Sequence, residues 1–339
     1  MTDQETFHLS NRSLACELCT DGASLMGLSM KLRSGKKRSL VLALKPSLYP
    51  WDPSYSGATL GPCAGRVRGG RLCIDGNEYQ LNQNDGVNTL HGGNNGLSHQ
   101  RFEYSGIEHD FDTERLTFTA HLEDGLDGWP SNRKITVQYT LGPGAMLTIR
   151  YHAVADKPTW LDCSSHIYWN LNGRFLGSEA DHKLKINADS VILNSAEHLP
   201  VSIVNVKGTP FDYREFTSIF QMMDKYKDDK QLLIGRGYNN AFLLNDNVSP
   251  AVELESMPGG ITMKLFTDQP CVVFYSGGFL GNSQMQDGSI VTPSCALAFE
   301  AQNYPDLPNT FPSKFIPLMP GETFSRYIQF KLSETTEES

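Results

Sequence analysis

Glu300 stands in the segment Phe299-Glu300-Ala301-Gln302-Asn303-Tyr304-Pro305-Asp306, after an apolar approach run from Pro293 to Phe299 and before an aromatic turn. A carboxylate at the end of a strand that reads as buried is costly to desolvate unless something satisfies it or uses it. Two histidine segments could supply its partner: Ser164-Ser165-His166-Ile167-Tyr168-Trp169-Asn170 and Asn88-Thr89-Leu90-His91-Gly92-Gly93. One carboxylate with imidazoles, and neither a metal-ligand cluster nor a phosphate loop, points to proton-transfer chemistry on a neutral polar substrate. Each histidine taken alone could equally be a satisfied structural or turn residue.

The elements that would hold these groups are strands. Residues Lys134 to Thr140 and Leu147 to Ala153 alternate apolar and polar positions with period two, and Gly142-Pro143-Gly144 between them marks a hairpin turn. Further strands are expected at Leu116–His121, Lys183–Asn187, Val191–Asn194, Ile261–Thr267, Cys271–Tyr275 and Arg326–Leu332. Only Tyr213 to Tyr226 reads as helical. Many short strands without a helix between each pair indicate packed antiparallel sheets, an all-β class with a large β-sandwich. Residues 1–332 are expected to form a single domain and 333–339 a solvated tail.

Composition narrows the function further. The chain has 339 residues, 20% of them charged, and a net charge of −9 with no lysine or arginine run, so the footprint of a nucleic-acid or anionic-membrane binder is missing. A neutral small molecule is the expected partner, with no nucleic acid and no membrane. No apolar run reaches the roughly 20 residues of a membrane helix, and the acidic start carries no export signal. The seven cysteines are odd in number and mostly embedded in apolar runs. Cys16-Glu17-Leu18-Cys19 lacks a second CxxC, so buried free thiols in a reducing, cytoplasmic compartment are expected. Cys63 to Arg71 holds three arginines and three glycines but lacks the P-loop pattern, and no nucleotide site follows from it. Trp51, Tyr55, Trp129 and Trp169 could stack on the face of a ligand, at most two of them as contacts. Asp181, His182 and His198 lack metal-ligand spacing, and surface or structural roles are expected for them.

In combination the segments resemble the aldose 1-epimerases, also called galactose mutarotases. Leu90-His91-Gly92-Gly93 is similar to the family's L-H-G-G, Gly125-Leu126-Asp127-Gly128-Trp129-Pro130 to its E-G-Y-P region, and His166-Ile167-Tyr168-Trp169-Asn170-Leu171 to its H-x-Y-F-N-L. Gly208-Thr209-Pro210-Phe211-Asp212 resembles G-T-x-F-D, and Glu300-Ala301-Gln302-Asn303-Tyr304-Pro305-Asp306 resembles E-x-Q-N-x-P-D. The order is kept over residues 60 to 310. The resemblance implies a β-sandwich of the galactose mutarotase type with the sugar in an open cleft on one sheet. By matched position it implies Glu300 as general base, His166 as general acid, and His91, Arg66 and Asn239 as sugar-binding groups. It also implies a monosaccharide substrate, no cofactor and no metal, and a monomer or homodimer.

Three positions depart from the family pattern. Gly65 replaces an asparagine before Arg66, Asn239 an aspartate in Gly237-Tyr238-Asn239-Asn240, and Val273 a glutamine before Phe274-Tyr275. The proton-transfer pair is kept while hydroxyl-recognition positions differ, so weak discrimination for galactose over glucose, or preference for a modified or linked sugar, is expected. Two other readings use the same fold: a carbohydrate-binding or regulatory module without turnover, or a mutarotase for a phosphorylated or otherwise modified sugar. A glycoside-cleaving or lyase activity would need a second carboxylate, for which Asp306 is the nearby candidate.

Overall fold

The structure is a computed structural model and describes residues 4–173, 175, 182–256 and 260–335. Among them, two antiparallel sheets hold most of the strands. The larger runs in spatial order Glu103–Tyr104, Thr113–Leu122, Arg133–Gly142, Met146–Ala155, Phe324–Glu334, Ile261–Thr267, Val252–Ser256, His182–Ile186 and Thr217–Ser218, with Glu108–Asp110 paired alongside its second strand. The second has six strands in the order Tyr168–Trp169, Leu297–Gln302, Cys271–Tyr275, Asn239–Leu243, Ser190–Asn194 and Pro200–Asn205.

Alternation explains the layering. In Arg133–Gly142 the residues Ile135, Val137, Tyr139 and Leu141 are fully buried while their neighbours are partly exposed, as a strand with one face on a core requires. Leu147, Ile149 and Tyr151 of the paired strand do the same. Facing them, the rings of Tyr238, Phe274 and Phe299 stack in series at 4.9 and 5.3 Å between centroids. Trp169 packs on Phe330 of the large sheet at 4.6 Å. A fully buried phenylalanine is worth about 1.5–3 kcal/mol, so these rings fix the six-stranded sheet firmly against the larger one.

The expected hairpin, the strands near 116–121, 183–187 and 191–194, and those at Ile261–Thr267 and Cys271–Tyr275 all form. Two expectations need correction. The helix expected from Tyr213 to Tyr226 is only Ile219–Lys225: Ser218 caps it by accepting the Gln221 N–H, and Thr217–Ser218 is drawn into pairing with Lys183 and Leu184. A second short helix, Lys230–Gly235, starts at the Asp229 cap. The expected tail also starts too early, because Ser333 and Glu334 pair with Thr262 and Ile261; residues 336–339 lie outside the described residues. Strands beyond those expected, Thr6–Ser10, Leu14–Cys19, Leu25–Lys31 and Lys37–Ser39, make a four-stranded sheet, tied to the core by the Tyr139 hydroxyl donating to the Ala23 carbonyl at 2.8 Å.

Candidate functional site

Every residue of Leu297–Gln302 is buried, and the period of two sorts them. Leu297, Phe299 and Ala301 join the inter-sheet core, which sends Ala298, Glu300 and Gln302 to the opposite face. Glu300 sits directly opposite Val273, which sits opposite Ala241, and Asn239 faces Tyr275 two pairs further along. This row floors a cleft of about 410 Å³, whose walls include Arg66, His91, His166 and His198.

The walls are tied to the floor by backbone pairing. Arg66 and Leu90 are partners in a two-stranded ribbon, so Arg66 and His91 enter the cleft from adjoining chain segments. His91 holds φ 51 and its Nδ1 is hydrogen-bonded to the Ala64 carbonyl, leaving Nε2 for the cleft. At Gly92 a Cβ would come within 2.1 Å of the Gly61 carbonyl oxygen, so only glycine fits the turn after His91. The Trp129 indole N–H donates to the Gly92 carbonyl at 2.8 Å, which gives the aromatic of the Gly125–Pro130 motif a supporting role. Asp162 links both sides: its backbone N–H donates to the Pro62 carbonyl at 2.7 Å and its carboxylate accepts the Asn303 N–H at 2.9 Å.

His166 Nε2 lies 3.5 Å from Glu300 Oε1, both groups buried. The imidazole is boxed by Tyr168 at 4.7 Å, Tyr275 at 6.1 Å and Tyr55 at 6.4 Å between ring centroids. Burial pushes the Glu300 carboxyl up to about 8, against the pull of Arg66 and with the help of Asp162. Burial also brings His166 down to about 4 and holds His91 well below the usual imidazole range, with the neighbouring His166 adding to it. An ion-pair distance and two neutralising environments oppose one another here. At 3.5 Å the contact is longer than a strong charge-assisted hydrogen bond, so burial outweighs it and pushes both groups toward their neutral forms. The pair then carries one proton across the near-neutral range.

The site thus brings together all five residues expected from the sequence: Glu300, His166, His91, Arg66 and Asn239 line one cleft. Arg66 Nε also pairs with Asp85 at 2.7 Å. His198, expected at the surface or in a structural role, lines the cleft as well, placed there by a turn with φ 57. Its signal in the sequence was only its position shortly after the expected strand Val191–Asn194. Among the aromatic candidates Tyr55 lines the cleft; Trp129 and Trp169 are buried in packing, and Trp51, 83% exposed, is not among the lining residues. Asp306 is buried away from the cleft and satisfied by Arg68, Asn309 and Thr310, so it is not a second catalytic carboxylate. His182 is buried and accepts the Leu171 N–H at 3.0 Å, a structural role as expected; Asp181 lies outside the described residues. Cys16 and Cys19 are buried free thiols pushed up to about 12 by desolvation, whereas Cys73 is exposed.

His91, His166 and Glu300 can each offer one ligand atom within 4.8 Å of the others. A tetrahedral zinc site needs ligand atoms about 3.4 Å apart, given bonds of 2.0–2.1 Å, so the triplet would have to contract around an ion. No helix among the described residues is long and apolar enough to cross a membrane.

The antiparallel sandwich holds a carboxylate and an imidazole side by side in an open cleft of a size to take a small molecule. The chain belongs to the aldose 1-epimerase family, whose profile matches residues 5–331. It is 32% identical to the aldose 1-epimerase of Escherichia coli K12 over 95% of this chain and 93% of that protein. It is 30% identical to the galactose mutarotase of Mus musculus over 97% and 94%. Among solved structures, the aldose epimerase homologue of C. elegans superposes with TM-score 0.89 at 28% identity, covering 98% of this chain and all of that one. The galactose 1-epimerase of Lactobacillus acidophilus does so with TM-score 0.86 at 29% identity, covering 99% and 96%. The chain is a carbohydrate isomerase that interconverts the α and β anomers of an aldose.

Proposed function

We propose that Glu300 and His166 open and reclose the sugar ring by acid–base catalysis, on the strength of their 3.5 Å contact at the floor of the cleft. Glu300 takes the C1 hydroxyl proton while His166 protonates the ring oxygen, and the hemiacetal opens to the aldehyde. Rotation about C1–C2 and reclosure with the roles exchanged give the other anomer. One proton shared by the pair is the inventory this needs. Sugar hydroxyls and Arg66, brought against Glu300, favour the carboxylate–imidazolium arrangement of that proton. His91, with Nδ1 occupied, offers Nε2 to a hydroxyl, and Arg66 and Asn239 position the rest of the ring. The substrate is an uncharged aldose, and the protein works in the cytoplasm as a monomer or homodimer. Polarimetry on freshly dissolved α-glucose and α-galactose tests the function: the protein should speed the approach to anomeric equilibrium for both.

A bell-shaped pH profile is expected for kcat/KM. Above about 8 the pair has lost its proton and no acid remains; below about 4 it holds two and no base remains. Beyond either limb the rate should fall about tenfold per pH unit. A profile flat from acid to alkaline pH would contradict paired catalysis. Dialysis against EDTA is expected to leave the rate unchanged, since the reaction needs proton transfer alone. Loss of activity that added zinc restores would instead assign His91, His166 and Glu300 as ligands.

A further inference from the structure

Across the cleft floor from Glu300, a second pair of polar groups faces the same space. Asn239 and His198 both line the cleft, and Asn239 Nδ2 lies 3.5 Å from His198 Nδ1. Each is steadied from behind. The Asn239 carbonyl accepts from Asn194 Nδ2 at 2.8 Å, and the His198 N–H donates to the Ser195 carbonyl at 3.0 Å while its ring meets Phe279 edge-on at 5.6 Å.

We propose that His198 and Asn239 act as one neutral recognition pair for two neighbouring sugar hydroxyls, and that His198 is a specificity-determining residue of this enzyme. The assignment rests on the anomer exchange proposed above. Its logic is a constraint on hydrogen bonding. If the Asn239 amide N–H₂ donates to Nδ1, the imidazole proton is on Nε2, and the pair presents an amide oxygen and an N–H. If the amide is turned, Nδ1–H donates to the oxygen, and the pair presents an N–H₂ and a bare Nε2. Either way it offers one donor and one acceptor. A vicinal diol matches that, since one hydroxyl can donate while its neighbour accepts. An aspartate at this position would offer acceptors only and would draw a proton onto His198.

Charge at the pair is set by its surroundings. Burial and the cation of Arg66 disfavour protonation of His198, while Asp85 and Glu197 act the other way, and the net effect lowers its affinity for a proton. The pair is therefore neutral at neutral pH and selects hydroxyls by pattern. Val273 and Ala241 beside it on the floor add an apolar strip with no polar side-chain group to take over a lost contact.

Anomer exchange measured by NMR for glucose, galactose and their singly deoxygenated analogues tests the proposal, using wild type, His198→Ala and Asn239→Asp. His198→Ala should lower kcat/KM for the parent sugars about tenfold, the worth of one good hydrogen bond, with the change carried by KM. For the analogue lacking the partner hydroxyl the same substitution should cost about twofold or less, because the contact is already gone. Asn239→Asp should reorder the panel. Equal loss across every sugar in His198→Ala, together with an unchanged ranking in Asn239→Asp, would overturn the recognition role while leaving the reaction standing. Absence of exchange by wild type on every sugar would remove the reaction and this assignment together.

Discussion

Glu300→Gln is expected to reduce anomer exchange by about 10³-fold or more, because the amide fills the same space but cannot take the C1 hydroxyl proton. The folded protein should also become more stable at neutral pH. Burial keeps the Glu300 carboxyl protonated up to about 8 in the folded chain, whereas the ordinary value is 4.5. Between those values the folded state holds a proton that the unfolded state has released, so stability declines as pH rises through the window. At pH 7 the cost is on the order of 3 kcal/mol. The substitution removes it, so the melting temperature should rise by a few degrees at pH 7 and change little near pH 4, where the wild-type carboxyl is protonated in both states. Turnover near wild type in a folded Glu300→Gln protein would defeat the base assignment, and another group lining the cleft would then have to take the C1 hydroxyl proton.

His166→Ala is expected to cost about 10²–10⁴-fold, the usual contribution of one positioned acid or base. The loss should appear in kcat. The imidazole sits among Tyr168, Tyr275 and Tyr55, and removing it leaves a hole in their midst. A melting curve separates collapse of that box from loss of chemistry: a cooperative transition with kcat reduced a hundredfold assigns the acid role. The bell should also lose its alkaline limb if the remaining turnover no longer requires a proton on the pair. Equal losses in kcat for His91→Ala and His166→Ala would show that the reaction needs both imidazoles to the same degree, against the single acid proposed.

Both predictions draw on a feature that local sequence suggested and local structure could not supply. The approach run before Glu300 marked a buried carboxylate, and the strand Leu297–Gln302 is buried at every position. Its partner was ambiguous. Two histidine segments stood at separations of 134 and 209 residues from Glu300, since 300 − 166 = 134 and 300 − 91 = 209. Pairing of Tyr168–Trp169 with Leu297–Ala298 brings the first into contact, and the ribbon of Arg66–Val67 with Thr89–Leu90 brings the second to the wall.

The sequence alone determined the class of fold, because period-two alternation with turn residues between short strands admits little besides packed antiparallel sheets. It also determined the candidate chemistry, because a carboxylate in an apolar segment needs a partner and the ordered motifs named the family. Helix ends and the carboxyl-terminal boundary were legible only in part: Ser218 as a cap and the pairing of Ser333 and Glu334 depend on strands distant in sequence. Tertiary structure decided which polar groups share one cleft. It sent Asp306 to a structural network and Trp129 and Trp169 to packing, and it brought His198 beside Asn239. The physical reason is that alternation tells which face of a strand is buried, whereas the neighbours a side chain meets on that face are set by cross-strand register and by how two sheets stack.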